Sequence, residues 1–193
     1  MFLTAAVAAS VTACGGSGPD SAHTTSTPAA RTTCDAAAAN GSVITSEPRA
    51  GVPFTLRLPD LRGWEVTPPV RADSILRLAD RHVGRAGNPS VTFTVSAPRS
   101  ANMSMAYGMQ GNWKQWRTEE IQLCRLGGNR ASGILVASGP DQVDRYREFL
   151  DLDYRAGDLL YPIRMMVDTP AADRDLYQPD IDTFVDGLQI IPT

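Results

Sequence analysis

The most distinctive side chains for chemistry are the methionines and aromatic residues between positions 100 and 116. If Ser100–Trp116 forms a helix, four of them follow i, i+4, i+8 and i+11 spacing and share one stripe: Met105, Met109, Trp113 and Trp116. Methionine adapts its shape and tryptophan offers a large apolar surface, so the stripe suits an apolar ligand. With Met103 and Tyr107 it predicts a pocket between helix and sheet. The alternative is an ordinary buried core stripe.

Carboxylates are the second candidate chemistry. Asp151 and Asp153 are spaced to share one strand face, where paired carboxylates can exchange protons or bind a hard cation. Arg164 lies diagonal to Asp151 on the neighbouring strand of a predicted hairpin, which favours a solvated charge cluster instead. A later acidic run lacks the spacing of a calcium-binding loop and is predicted to form the solvent-exposed face of the last helix. The run consists of Asp173, Asp175, Asp180, Asp182 and Asp186.

Histidine chemistry is sparse, since the sequence has 2 histidines, His23 and His82. A histidine-rich metal site is therefore not available, and we expect neither a metal nor a cofactor. The motifs G-x-S-x-G and H-E-x-x-H do not occur. The sequence predicts a protein that is not an enzyme and has no catalytic residues. A hydrolase that uses His82 is the least favoured alternative.

The charge balance gives no reason to expect a nucleic-acid partner. The 193 residues carry a formal net charge of −3, and the sequence pI is about 5.3. Lys114 is the only lysine, so a phosphate-binding loop that depends on lysine is excluded.

The N-terminal residues resemble the export signal of a bacterial lipoprotein. An apolar or small run, Phe2–Ala13, ends in Val-Thr-Ala directly before Cys14. The resemblance implies a signal peptide at residues 1–13 and a diacylglycerol anchor, with fatty acids such as palmitate, on the Cys14 thiol. It places the protein at the extracytoplasmic face of the cell membrane. No Lys or Arg precedes the run, so we expect the true start to lie upstream.

Residues 14–45 follow as a predicted tether, and residues 46–193 as one domain. The tether is rich in Gly, Ser, Thr and Pro, a composition that buries too little apolar area to fold. Once Cys14 is lipidated, Cys34 and Cys124 remain, and outside the cytoplasm we expect them to form a disulfide. Cys124 lies in an apolar run, so a buried free thiol is the alternative.

Alternating apolar and polar residues predict strands at Phe54–Leu58, Gly63–Val66 and Val91–Val95. The stretch between residues 70 and 87 is ambiguous. A first hairpin is predicted to join Ile121–Leu126 to residues 131–137 through a turn at residues 127–130.

A second hairpin is predicted to join Arg145–Tyr154 to Leu159–Val167. Its apolar residues are expected on one face: Leu150, Leu152, Tyr154, Tyr161, Ile163 and Met165. Thr169 and Pro170 are predicted to begin the last helix, which a short final strand, Leu188–Ile191, follows. The order of elements predicts an α+β domain, an antiparallel sheet with helices packed on it.

This order resembles the LpqN/LpqT-type lipoproteins of mycobacteria and other actinobacteria. The resemblance rests on Cys14, which ends a run like the lipobox of bacterial lipoproteins (the short motif before the lipidated cysteine). It also rests on five segments: Phe54–Pro59, Gly63-Trp64, Asn88-Pro89 before the strand from Val91, Leu126-Gly127, and Leu188–Ile191 after the last helix. It implies a PsbP-like α/β/α sandwich and transfers no catalytic residues.

Together, these observations predict a cell-envelope lipoprotein that acts as a non-enzymatic binding module. Its partners would be the membrane, through the anchor at Cys14, and an apolar small molecule, a lipid or another protein. The alternative is a structural or assembly subunit of an envelope complex.

Overall fold

The computed structural model describes residues 41–81, 88–100, 111–123 and 126–193. Within these ranges the chain forms two antiparallel sheets and one α-helix. The small sheet has the order β1-β2-β11, with strands β1 (Val43–Thr45), β2 (Phe54–Pro59) and β11 (Gln189–Pro192). The helix α1 spans Arg174–Gly187, after a 3-10 turn at Ala171–Asp173.

The large sheet has the order β3-β4-β5-β10-β9-β8-β7, and the short strand β6 also pairs with β10. Its strands are β3 (Trp64–Val66), β4 (Ser74–Asp80), β5 (Ser90–Val95), β6 (Arg99–Ser100), β7 (Trp113–Leu123), β8 (Leu126–Leu135), β9 (Arg145–Ala156) and β10 (Leu159–Pro170).

The core lies between one face of the large sheet, here called the inner face, and the layer formed by α1 and the small sheet. Alternate residues along a strand point to opposite faces, so each central strand contributes every second side chain to this core. The inner-face residues are Leu76, Leu78, Val91, Phe93, Val95, Leu150, Leu152, Ile163, Met165 and Val167. The opposite face of the large sheet is here called the outer face.

The helix is held by aromatic packing against the start of β3. The Trp64 ring contacts Phe184 with centroids 5.2 Å apart, and its indole N–H donates to Asp180 at 2.8 Å. Trp64 also meets Tyr177 edge-on. Burial raises the pKa of Tyr177 to about 12, and a hydrogen bond with Asp80 acts in the same direction.

The second hairpin is confirmed, because β9 and β10 pair over their full length around a turn at residues 157–158. The register places Tyr161 opposite Tyr154, Ile163 opposite Leu152 and Met165 opposite Leu150, as the alternation predicts. The strand from Phe54, the strand from Val91 and the final strand are also confirmed.

The helix predicted over Ser100–Trp116 is wrong at Ser100, which belongs to strand β6, and from residue 111 onward. Trp113–Leu123 is strand β7, paired with β8. Residues 101–110, with Met103, Met105, Tyr107 and Met109, lie outside the described residues, as do Cys14, Cys34, His82 and Cys124. The described residues place their one α-helix on the inner face, so an antiparallel sheet with a helix packed on it is confirmed.

The turn predicted at residues 127–130 is also wrong, because these residues belong to β8. Gly128 pairs with Leu152, and a Cβ atom at Gly128 would collide with the carbonyl oxygen of Asp151. The glycine thus permits a close approach between two strands. The sequence alone does not distinguish this role from that of a glycine in a turn.

The last helix begins later than predicted, because Thr169 and Pro170 end strand β10. Thr169 does not cap the helix; its hydroxyl donates to the Pro170 carbonyl. At the other end, β1 lies inside the predicted tether range of 14–45, since Val43 and Ile44 pair with β2. Among the described residues, no helix is long and apolar enough to cross a membrane.

Candidate functional site

The predicted aromatic residues Trp113 and Trp116 come together on the outer face, although not through a helix. Residues three apart on a regular strand face opposite sides. A β-bulge between Lys114 and Arg117, with Gln115 at φ 54°, inserts one extra residue and returns Trp116 to the side of Trp113. Their ring centroids are 5.0 Å apart.

Both indoles pack against Phe149 of β9, with centroids 6.2 and 6.3 Å from its ring. Phe149 is buried, whereas Trp116 remains 37% exposed. Gly133 of β8 lies beneath the pair, and a Cβ atom there would lie 2.9 Å from Trp116 and 3.3 Å from Trp113. These three aromatic rings are here called the aromatic cluster.

Gly133→Ala is expected to push Trp116 outward, because the indole is the neighbour most able to move away from the new methyl group. We expect a red shift of tryptophan emission in a Trp64→Phe background, and a loss of stability of about 1–3 kcal/mol. Fluorescence spectra and urea unfolding measure both effects. Gly139→Ala is the matched control, since its Cβ would meet nothing closer than Gln142 at 3.9 Å. An unchanged emission maximum in Gly133→Ala would show that the indoles do not lie over Gly133.

A pocket of about 350 Å³ adjoins the aromatic cluster and shares Phe149 with it. Its apolar lining comes from Val70, Phe149, Pro162 and Met166, and its charged lining includes Arg71 and Arg164. The Arg164 guanidinium lies over the Phe149 ring, 5.2 Å from the centroid. Asp73 also lines the cavity and pairs with Arg71, and Arg164 pairs with Asp151. This cavity, here called the outer pocket, thus has an apolar part and a polar part made of ion pairs.

The two predicted aspartates are held in ion pairs. Arg164 lies directly opposite Asp151, rather than diagonal to it, and donates to both of its oxygens at 2.6 and 2.8 Å. Arg99 donates to both oxygens of Asp153. The charge cluster is therefore confirmed, but the prediction that it is solvated is wrong for Asp151, which is buried. Among the described residues, no group of acidic, histidine or cysteine side chains is placed to hold a metal ion.

A second cavity, of about 310 Å³, lies on the inner face and is lined by residues of β7, β8, β9 and α1. It is here called the arginine cavity. Its lining includes three arginines, two glutamates and one tyrosine: Arg117, Glu119, Arg130, Tyr146, Glu148 and Arg174. None of these residues was predicted as a site residue.

Glu148 is the buried centre of this cavity's hydrogen bonds, with its side chain only 2% exposed. Arg130 donates to one carboxylate oxygen at 2.8 Å, and the Tyr146 hydroxyl donates to the other at 2.8 Å. Burial would lower the pKa of Arg130, but Glu148 and Asp182 outweigh it and raise the pKa above the ordinary value. Burial, aided by Glu148, raises the pKa of Tyr146.

Arg130 also reaches α1, where it donates to Asp182 at 3.0 Å. Asp180 likewise accepts the Trp64 indole N–H. The acidic run of the last helix is therefore not simply its solvent-exposed face, because Asp180 and Asp182 accept hydrogen bonds that join α1 to the large sheet.

The comparisons with known proteins concern the fold. The sequence matches no protein-family model and no curated protein. The chain is similar to the crystal structure of LpqN, described as involved in cell envelope biogenesis of Mycobacterium tuberculosis. The TM-score is 0.63 at 11% sequence identity, over 79% of this chain and 93% of that chain.

A solution structure of cyanobacterial PsbP (CyanoP) from Synechocystis sp. PCC 6803 is also similar. Its TM-score is 0.47 at 14% identity, over 93% of this chain and 98% of that chain, and this score is too low to support an argument. At the identity of the LpqN match, the similarity concerns the fold alone. The chain therefore has the LpqN-type fold that the order of its elements predicts.

Proposed function

We propose that this protein is a non-enzymatic binding module of the cell envelope, exported and held at the membrane by a lipid on Cys14. The lipobox-like N-terminus supports export and anchoring. The fold supports the envelope setting, because its structural neighbour LpqN is described as involved in cell envelope biogenesis. A disulfide between Cys34 and Cys124 would join the tether to the domain.

The observation that carries the binding role is the outer pocket, which adjoins the aromatic cluster. Its volume of about 350 Å³ is in the range of small-molecule sites, roughly 300–1,000 Å³. Phe149 and Met166 offer apolar contact, and the Arg164–Asp151 and Arg71–Asp73 ion pairs make the other end polar. The pocket therefore suits an acyl chain or another apolar small molecule that ends in a polar group.

Tryptophan fluorescence can test this proposal, because the aromatic cluster lies beside the pocket and Trp64 lies in the core. A fatty acid brominated along its chain should quench Trp64→Phe, which keeps Trp113 and Trp116. It should leave the fluorescence of Trp64 unchanged in the double variant Trp113→Phe/Trp116→Phe, because the quencher acts only at contact.

Met166→Glu should weaken the binding of the brominated acid at least about tenfold, since it places a charge in the apolar part of the pocket. Leu176→Glu is the control, because Leu176 is 71% exposed on α1, on the other side of the sheet. Absence of quenching in Trp64→Phe, or equal weakening by both glutamates, would overturn the proposed site.

A further inference from the structure

The three carboxylates at the arginine cavity, those of Glu119, Glu148 and Asp182, all pair with one arginine, Arg130. Glu148 accepts from Arg130 and Tyr146, and Asp182 accepts from Arg130 and Gln178. Within the described part of the chain, no carboxylate lies in ion-pair distance of Arg117 or Arg174. Two guanidinium groups therefore face one cavity without an acidic partner, in a protein whose net charge is −3.

Arg174 is held in place without an ion pair. Its guanidinium carbon lies 4.6 Å from the centroid of the Tyr146 ring, an arrangement in which the ring face attracts the cation. Tyr146 is itself fixed by its hydrogen bond to Glu148. The stacking leaves the edge of the guanidinium, with its N–H donors, available to a ligand in the cavity.

The cavity also holds one donor and one acceptor without partners. The Nε atom of Arg174 and the Oε1 atom of Gln178 are both buried, and neither has a hydrogen-bond partner within the described structure. Gln178 is turned so that its amide nitrogen donates to Asp182 at 3.2 Å, which directs its oxygen elsewhere. Unpaired buried polar groups are costly, at about 1–3 kcal/mol each, so a partner for both is expected.

We propose that the arginine cavity binds an oxyanion, a phosphate or a carboxylate, carried by a hydroxylated compound. The oxyanion would accept from Arg174 and Arg117, since the planar guanidinium matches such groups in bidentate geometry. A hydroxyl of the same compound would donate to Oε1 of Gln178. This site is separate from the outer pocket, because it lies on the opposite face of the large sheet.

The first test is calorimetric titration of the folded protein with glycerol phosphate, glycerate and glycerol. The two anions should bind, and neutral glycerol should not. Arg174→Gln should weaken anion binding about tenfold or more, as should Arg117→Gln. Arg155→Gln, at an exposed arginine near the end of β9, removes the same charge outside the cavity lining and should have little effect. Higher salt should weaken binding to the wild type.

Gln178→Glu gives an independent variant for the case in which Arg174→Gln alters the fold. It keeps the side-chain shape, adds a negative charge and loses the donor to Asp182, so it should abolish anion binding. An unchanged circular dichroism spectrum is the control that the fold is retained. Equal binding by Gln178→Glu and wild type would overturn the proposal. Equal weakening of anion binding by Arg155→Gln and Arg174→Gln would also overturn the proposal, since it would show that only the overall charge of the protein matters.

Vesicles distinguish a lipid headgroup from a soluble source. Phosphatidylglycerol presents the same hydroxylated phosphate as glycerol phosphate, and phosphatidylcholine is the comparison. Binding of phosphatidylglycerol vesicles that depends on Arg174 would identify a lipid, whereas binding of only the soluble anions would identify a soluble compound. If neither vesicles nor soluble anions bind in a manner that depends on Arg174, the proposal is wrong. The brominated acid reports on the outer pocket independently of this result.

Discussion

Arg130→Ala is expected to destabilise the domain by about 3–5 kcal/mol, the usual effect of removing one partner of a buried ion pair. The variant leaves the carboxylate of Glu148, only 2% exposed, with the Tyr146 hydroxyl as its remaining donor. It also releases Asp182, and with it a link between β8 and α1. A loss of this size is a large part of the roughly 5–15 kcal/mol that stabilises a typical domain. Urea unfolding followed by circular dichroism measures it.

The double variant Arg130→Met/Glu148→Leu separates two effects: the cost of leaving the Glu148 carboxylate buried without a cation, and the loss of the attraction between Arg130 and Glu148. It removes both charges and keeps similar volumes, so it should be more stable than Arg130→Ala and fall short of the wild type by the hydrogen bond that the Tyr146 hydroxyl loses. Arg155→Ala, at an exposed position, should change stability by less than about 0.5 kcal/mol.

If the free energy of unfolding of Arg130→Ala lay within about 1 kcal/mol of the wild-type value at neutral pH, Arg130 would not be the group that balances the charge of Glu148.

The β9–β10 hairpin could be predicted from the sequence because its alternation is regular on both strands. Leu150, Leu152 and Tyr154 repeat every second residue, and their partners on β10 do the same. A one-residue slip would turn these side chains away from the core, so the pattern itself determines the register.

Glu148 could have been found from the same pattern. It precedes Leu150 by two residues and therefore lies on the apolar face of β9, where a charge requires a partner. Its partners could not be found in this way. Arg130 and Arg174 come from another strand and from the helix, and local patterns carry no information about contacts so distant in sequence.

The tryptophan stripe shows a different limit of sequence reasoning. Helical spacing places Trp113 and Trp116 on one face, and the structure also places them on one face, but in a strand. The bulge at Gln115, with its positive φ, compensates for the odd spacing. Nothing in the local composition distinguishes a bulged strand from one turn of helix, so the proximity was predicted for the wrong reason.

Cys14→Ala is expected to release the full-length protein from the membrane fraction. If Cys14 carries the lipid, the change removes every acyl chain of the anchor, and each buried CH2 group contributes about 0.8 kcal/mol. Membrane fractionation should show wild type in the pellet and the variant as soluble or uncleaved protein. Mass spectrometry of the N-terminal peptide should show diacylglycerol on wild-type Cys14. Ser17→Ala, three residues after Cys14, is the matched control and should stay in the pellet.

The same variant should leave the domain folded, which separates loss of the anchor from misfolding. The core of the described residues is built from β2, β4, β5, β9, β10 and α1, all well beyond residue 14. The thermal unfolding midpoint of Cys14→Ala should therefore match that of the wild-type domain. An unmodified Cys14 on a protein that keeps residues 1–13 in the cytoplasm would contradict the anchor, and with it the export on which the disulfide between Cys34 and Cys124 depends.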